Sequence, residues 1–126
     1  MKDDRLIMEL MIEYCDAIIS DVSAIGGDID DFLESPTTQR ACSFSLLQIG
    51  EHVKRISDET RNRYDHIDWK KIAGMRDFIA HRYDQADMLE IWNTIKVNIP
   101  DLREKLSIII SETDSEERPA SDVKSL

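Results

Sequence analysis

Between Arg76 and Tyr83 the chain reads Arg-Asp-Phe-Ile-Ala-His-Arg-Tyr, which puts a guanidinium, a carboxylate, an imidazole and a phenol within eight residues. An imidazole gives or takes a proton near neutral pH, and a guanidinium binds phosphate bidentately and stabilises charge as it develops. Together they suit phosphodiester cleavage, with Arg76 and His81 as the catalytic pair and no metal required. RNA fits a metal-free route because its own 2′-OH can be the nucleophile. A structural reading uses the same residues: Arg76 pairs with an acidic neighbour such as Glu51, His81 caps a helix end and Tyr83 closes a core edge with its hydroxyl wet. Spacing alone favours that second reading, because these residue types often share so short a window.

Each residue of a regular helix turns about 100°, so Arg76 and His81, five apart, point about 140° away from each other. Asp77 and His81, four apart, share a face, and the carboxylate can orient the imidazole from within the helix. Arg76 must then reach round, or meet its partner from another helix or subunit. A composite site at a dimer interface follows from that geometry. The other histidines lack such company: His52 reads as a helix-surface or satisfied core residue, and His66 as an exposed loop residue.

The elements that hold this stretch come from a chain of 126 residues, the size of one domain with a real core. The start, Met1-Lys2-Asp3-Asp4-Arg5, is charged, and Glu9, Glu13 and Asp16 break the apolar run after it, so neither a signal peptide nor a membrane span is expected. Cys15 and Cys42 have no ligand spacing, which predicts buried thiols in a reducing, cytoplasmic setting and no metal site. The net charge of −10 argues against nucleic acid until its distribution is considered. Residues 54–82 carry eight basic groups against five acidic ones, a local +3 in a chain that is −13 elsewhere. This island, with Lys54, Arg55, Lys70, Lys71 and Arg82, is where RNA phosphates would be met; the plainer reading is a solvated helix end and loop.

Apolar residues at Ile7, Leu10, Met11, Tyr14, Ile18, Val22 and Ile25 predict a long amphipathic helix ended by Gly26-Gly27. Ile29 to Leu33 reads as a short linking turn that packs Phe32 on the core and stops at Ser35-Pro36. Thr37 and Thr38 are expected to cap a second long helix with a wide apolar surface of Ala41, Phe44, Leu46, Leu47, Ile49, Val53 and Ile56. Gly50 costs that helix about 1 kcal/mol relative to alanine, tolerable where another backbone comes close. Beside it, Glu51 is placed to partner a buried cation. Arg61 to Ile67 reads as loop, and Asp68 caps the helix that begins at Trp69 and ends near His81 to Asp84. Asp87 caps a last helix, with a kink or break at Pro100 between Asn98 and Leu102. No segment alternates as a strand. The expected fold is all-α, an antiparallel bundle of four to five helices over residues 1–111 that dimerises, followed by an acidic, disordered tail over 112–126.

Arg76, the polar Asp77, His81 and Tyr83 match the motif of a known group position by position: the sequence resembles the HEPN superfamily and, within it, the HepT-like toxins with their Arg-x4-His-x-Tyr motif. Leu47-Gln48-Ile49-Gly50-Glu51, Ile67 through Asp77, and Ile91-Trp92 through Leu102 are also similar, so the likeness runs from about Leu6 to Ile110. The resemblance implies a helical homodimer with facing motifs, within a larger complex in some cases, and a metal-independent ribonuclease that uses Arg76 and His81 with Asp77 in support. It further implies a small nucleotidyltransferase antitoxin that attaches AMP to Tyr83, blocking RNA by bulk and charge. Arg82 departs from the glycine common between the histidine and tyrosine of the motif and adds a cation there. The alternative function is a non-catalytic helical dimer that binds a nucleotidyltransferase or a nucleotide.

Overall fold

The computed structural model describes residues 2–82 and 87–117. Its first helix, α1 (Lys2–Ala24), buries Ile7, Met8, Met11, Cys15, Ile18 and Val22, with Leu10 and Tyr14 at the half-buried margin. Each fully buried Met or Ile side chain contributes roughly 1.5–3 kcal/mol, so this stripe and not helix propensity holds α1 in place. The helix stops where Gly26 and Gly27 take φ of 113° and 82°. The Gly27 N–H donates to Val22 at 3.0 Å and the Gly26 N–H to Ser23 at 3.1 Å, satisfying carbonyls the helix leaves open. Asp28 then caps the short α2 (Ile29–Leu33), which buries Phe32 with its ring 5.1 Å from that of Trp92.

Ser35-Pro36, expected as a stop, is the start of α3 (Pro36–Val53). The Ser35 hydroxyl, and not Thr37 or Thr38, accepts from the Thr38 amide at 3.3 Å, and Pro36 sits at the first helical position, where its fixed φ is already helical. Leu46, Ile49 and Val53 are buried as expected, but Phe44 is 57% exposed: the apolar surface is wider than the elements that cover it.

The expected loop after α3 contains a helix, α4 (Asp58–Arg63), capped by Ser57. A partner distant in sequence fixes it. Asp4 is only 4% exposed, and its carboxylate accepts from the Ser57 amide at 3.0 Å, from the Ser57 hydroxyl, and from the Thr60 hydroxyl at 2.6 Å. Arg61 closes the end of α3 by donating to the carbonyls of Val53 at 2.6 Å and Ile56 at 3.2 Å.

Helix α5 (Trp69–Arg82) follows, then α6 (Met88–Asn93), whose cap Asp87 accepts from the Leu89 amide at 2.9 Å. Residues Thr94–Asn98 form a wide π-turn that leads without a break into α7 (Ile99–Glu117). The irregularity expected at Pro100 therefore lies one turn earlier, because the proline ring disturbs the carbonyl four residues back, at Lys96. Helix α7 continues past residue 111: Thr113 is buried and Asp114 pairs with Arg5. Residues 118–126 of the expected tail lie outside the described residues.

Contacts at opposite ends fix an antiparallel arrangement of the four long helices. The start of α1 meets the end of α7 through Arg5 and Asp114 and lies beside the exit of α3 through Asp4 and Ser57, while α3 and α5 run past each other along most of α5. The buried apolar residues form one cluster. Among the described residues there is no strand, and no helix is long and apolar enough to cross a membrane.

Candidate functional site

Two anchors set the pitch of α5. Asp68 accepts from the Lys71 amide at 3.0 Å, and the buried Trp69 donates its indole N–H to the Tyr64 carbonyl at 3.0 Å. Further along, α5 lies against the backbone of α3 at Gly50. A Cβ built on that glycine would stand 2.6 Å from Arg76 Cβ, 2.9 Å from Arg76 N and 3.0 Å from the Ile72 carbonyl oxygen. Only hydrogen fits there, and the close approach brings Arg76 beside Glu51, the residue after the glycine.

Arg76 Nε donates to Glu51 Oε2 at 2.8 Å, as expected for a cation beside that carboxylate. Its Nη1 donates to Asp77 Oδ1 at 3.3 Å, and Lys54 Nζ donates to the same oxygen at 2.8 Å. Charges thus alternate Glu51, Arg76, Asp77, Lys54 across α3 and α5. The Lys54 hydrogen bond, with Arg76 beside it, holds the Asp77 carboxyl below the usual carboxylate range. The Arg76 side chain is 32% exposed and its partners are more so, and pairs that wet contribute at most about 1 kcal/mol each. Their effect is to orient the guanidinium, leaving part of it open to a ligand.

His81 is exposed in the last turn of α5. Among the described residues no hydrogen bond joins it to Asp77, whose Oδ1 accepts instead from Lys54 and from the Arg76 guanidinium. Tyr83 lies outside the described residues, as does the side chain of Arg82. Arg55, Lys70 and Lys71 are exposed, and Lys54 is committed to Asp77. Lys71 lines a cavity of about 230 Å³ between α5 and α7, together with His66, Ile72, Met75, Asn98 and Lys105.

His52 is a satisfied core residue: it is 9% exposed, with Nδ1 2.6 Å from the Gln48 carbonyl oxygen and its ring 5.6 Å from that of Tyr14. His66 is exposed. Cys15 and Cys42 are buried free thiols, and burial pushes both up to about 12, which removes them as nucleophiles. Among the described residues no three His, Cys, Asp or Glu side chains are grouped to hold a metal ion.

Sequence reasoning missed a groove between α3 and α5, lined by Arg40, Ser43, Phe44, Leu47, Ile79 and Ala80. The available signal was the extra width of the apolar face of α3, which left one aromatic residue more than its neighbours cover.

The family model described as "Ribonuclease HepT-like" matches residues 8–109, a span holding Arg76, Asp77, His81 and Glu51. The chain belongs to the HepT-like ribonuclease family. A relative named "Putative RNase TTE0752", from Caldanaerobacter subterraneus subsp. tengcongensis, is 36% identical over 112 residues, covering 89% of this chain and 98% of the relative. "Putative RNase MJ1216" of Methanocaldococcus jannaschii is 31% identical over 116 residues, covering 92% and 94%. "Probable ribonuclease HepT" of Thermococcus cleftensis is 37% identical over 76 residues, covering 60% and 69%. No solved structure matches the chain. The HepT-like resemblance read from the motif and its flanking segments is thereby established.

Proposed function

We propose that this chain is a metal-independent RNA endonuclease, the toxin of a type II toxin–antitoxin pair, acting as a homodimer. What supports it most is the guanidinium of Arg76, fixed by Glu51 and Asp77 on the helix that also carries the exposed His81. In the proposed reaction His81 takes the proton of the 2′-OH, the 2′ oxygen attacks phosphorus, and the bond to the 5′ oxygen breaks. A protonated imidazole returns a proton to the leaving oxygen, and Arg76 neutralises the charge that builds on the phosphoryl oxygens. Two His81 residues facing each other across a dimer would supply base and acid together. RNA phosphates would meet Arg55, Lys70, Lys71 and Arg82, with Lys54 available when it leaves Asp77. A nucleotidyltransferase antitoxin would silence the site by attaching AMP to Tyr83, adding bulk and negative charge beside the phosphate-binding groups.

The purified chain is expected to cleave single-stranded RNA in EDTA and to leave DNA of the same sequence intact, while His81→Ala does not cleave. Equal activity in both proteins, or none in either, would overturn the catalytic role. After coexpression with a neighbouring nucleotidyltransferase, mass spectrometry should find one or more AMP units on Tyr83 and none on Tyr83→Phe; modification at another residue would reject the assignment. One observation favours the second reading, a non-catalytic dimer that binds a nucleotidyltransferase or nucleotide: Arg76 already has two carboxylate partners, as a structural arginine would. The EDTA assay separates the two.

A further inference from the structure

We propose that the groove between the first half of α3 and the last turn of α5 is a base-stacking subsite for single-stranded RNA, with Phe44 as its platform and Arg40 as its phosphate contact. This rests on the ribonuclease reading above and extends it to how the strand is held. Phe44 is 57% exposed on a helix whose neighbouring Leu46 and Ile49 are buried, so its ring is available to a ligand. The ring is also braced. Tyr14 meets it edge-on, with centroids 6.4 Å apart and planes at 71°, and Tyr14 in turn rests on His52, itself tied to the Gln48 carbonyl. A ring held on one side and open on the other offers what an unpaired base needs, and base–aromatic stacking tolerates any sequence because every base has a π-face.

The groove also carries an unexplained polar group. Ser43, 3% exposed, lines it with a buried hydroxyl that has no hydrogen-bond partner. Buried hydroxyls are nearly always paired, so this one is free to turn toward a polar ligand atom in the groove. Charge points the same way: from residue 35 to residue 50 the single charged side chain is Arg40, in a chain of net charge −10, so no carboxylate of this stretch of α3 repels a phosphate. Position links the groove to the chemistry. The wall opposite Phe44 and Leu47 is Ile79 and Ala80, and His81 follows Ala80 directly, its Cα about 3.8 Å further along the chain. A base stacked on Phe44 therefore lies against the same turn of α5 that carries His81.

Binding of a short fluorescein-labelled, 2′-O-methylated RNA strand, which lacks the 2′ nucleophile, tests the subsite by anisotropy apart from catalysis. Phe44→Leu keeps apolar bulk without the ring and should bind the strand about tenfold more weakly, with melting temperature and assembly mass unchanged. Phe44→Trp should bind at least as tightly as the parent. Arg40→Gln should lower the slope of log affinity against log salt by about 0.7, as the loss of one single-strand phosphate contact does. Parent-like binding by Phe44→Leu overturns the proposal. So does weaker binding accompanied by a change in assembly mass, which would assign Phe44 to a contact between copies. If binding depends on Phe44 while the parent fails to cleave the unmethylated strand, the subsite stands and the catalytic reading falls; cleavage at equal rates by parent and Phe44→Leu gives the reverse.

Discussion

Gly50→Ala will melt below the parent and lose at least about 100-fold in RNA cleavage. The added methyl meets Arg76 Cβ at 2.6 Å, Arg76 N at 2.9 Å and the Ile72 carbonyl at 3.0 Å, and two of those three atoms are backbone, which cannot rotate away. Helices α3 and α5 must therefore separate. Overpacking of this kind costs roughly 1–3 kcal/mol, set against about 1 kcal/mol gained when alanine replaces a mid-helix glycine. A net loss of up to about 2 kcal/mol lowers the midpoint of a domain this size by up to several degrees, read by circular dichroism. The activity loss is the larger effect, because displacing the Arg76 guanidinium by about 1 Å from Glu51 and Asp77 is enough for a 100-fold penalty. A variant that melts at or above the parent temperature, with cleavage intact, would show that the two helices tolerate separation.

Asp4→Asn should cost about 2 kcal/mol at neutral pH, although it lies in the first turn and far from α5. Burial alone would raise the Asp4 carboxyl; the hydrogen bonds from Ser57 and Thr60 outweigh burial and hold it below its usual value. Asparagine keeps one acceptor and turns an amide nitrogen toward donors, leaving at least one buried donor unpaired, and unpaired buried donors cost about 1–3 kcal/mol. The sign with pH follows from a folded value below the unfolded one. The carboxylate's contribution is complete above the unfolded pKa of about 3.9 and is lost as pH falls through the lower folded value. The gap in denaturant midpoint between parent and Asp4→Asn should thus be wide at pH 7 and shrink below about pH 4. A gap that stays constant across that range would remove the charge from the explanation.

Much of what positions the site follows from residue types at short range. Gly50 inside a good helix implied a close backbone, and Glu51 beside it implied a cation; the structure supplies both in Ile72 and Arg76. Asp68 and Asp87 cap the helices their positions suggested. What stayed hidden depends on partners distant in sequence. Helix α4 needs Asp4, 53 residues from Ser57, to hold its first turn, and no local pattern announces that pairing. Phe44 had the periodicity of a core residue, but periodicity gives the face of a helix and not what covers it. Helical spacing puts Asp77 on the face of His81, but the hydrogen bonds it accepts come from Lys54 on α3 and from the adjacent guanidinium. At the start of α3, proline was read as a breaker where the preceding serine makes it an initiator.

The π-turn before Pro100 governs which way the end of α6 faces. Buried Ile91, Ile95 and Ile99 are spaced by four and four, a longer step than the 3.6 residues of an ordinary turn, whereas Leu102, Leu106 and Ile109 return to normal spacing. The wide turn absorbs the surplus and keeps every one of these side chains on the inner face. The same number of residues wound as a regular helix, with α7 unchanged, would turn α6 by about 80°. Trp92 would then leave Phe32, and Leu89 and Glu90 would look onto a different surface. A relative with one residue fewer here would need no wide turn and would present the same α6 face, so a difference of one residue in length at this point is taken up by the turn and not by the orientation of α6.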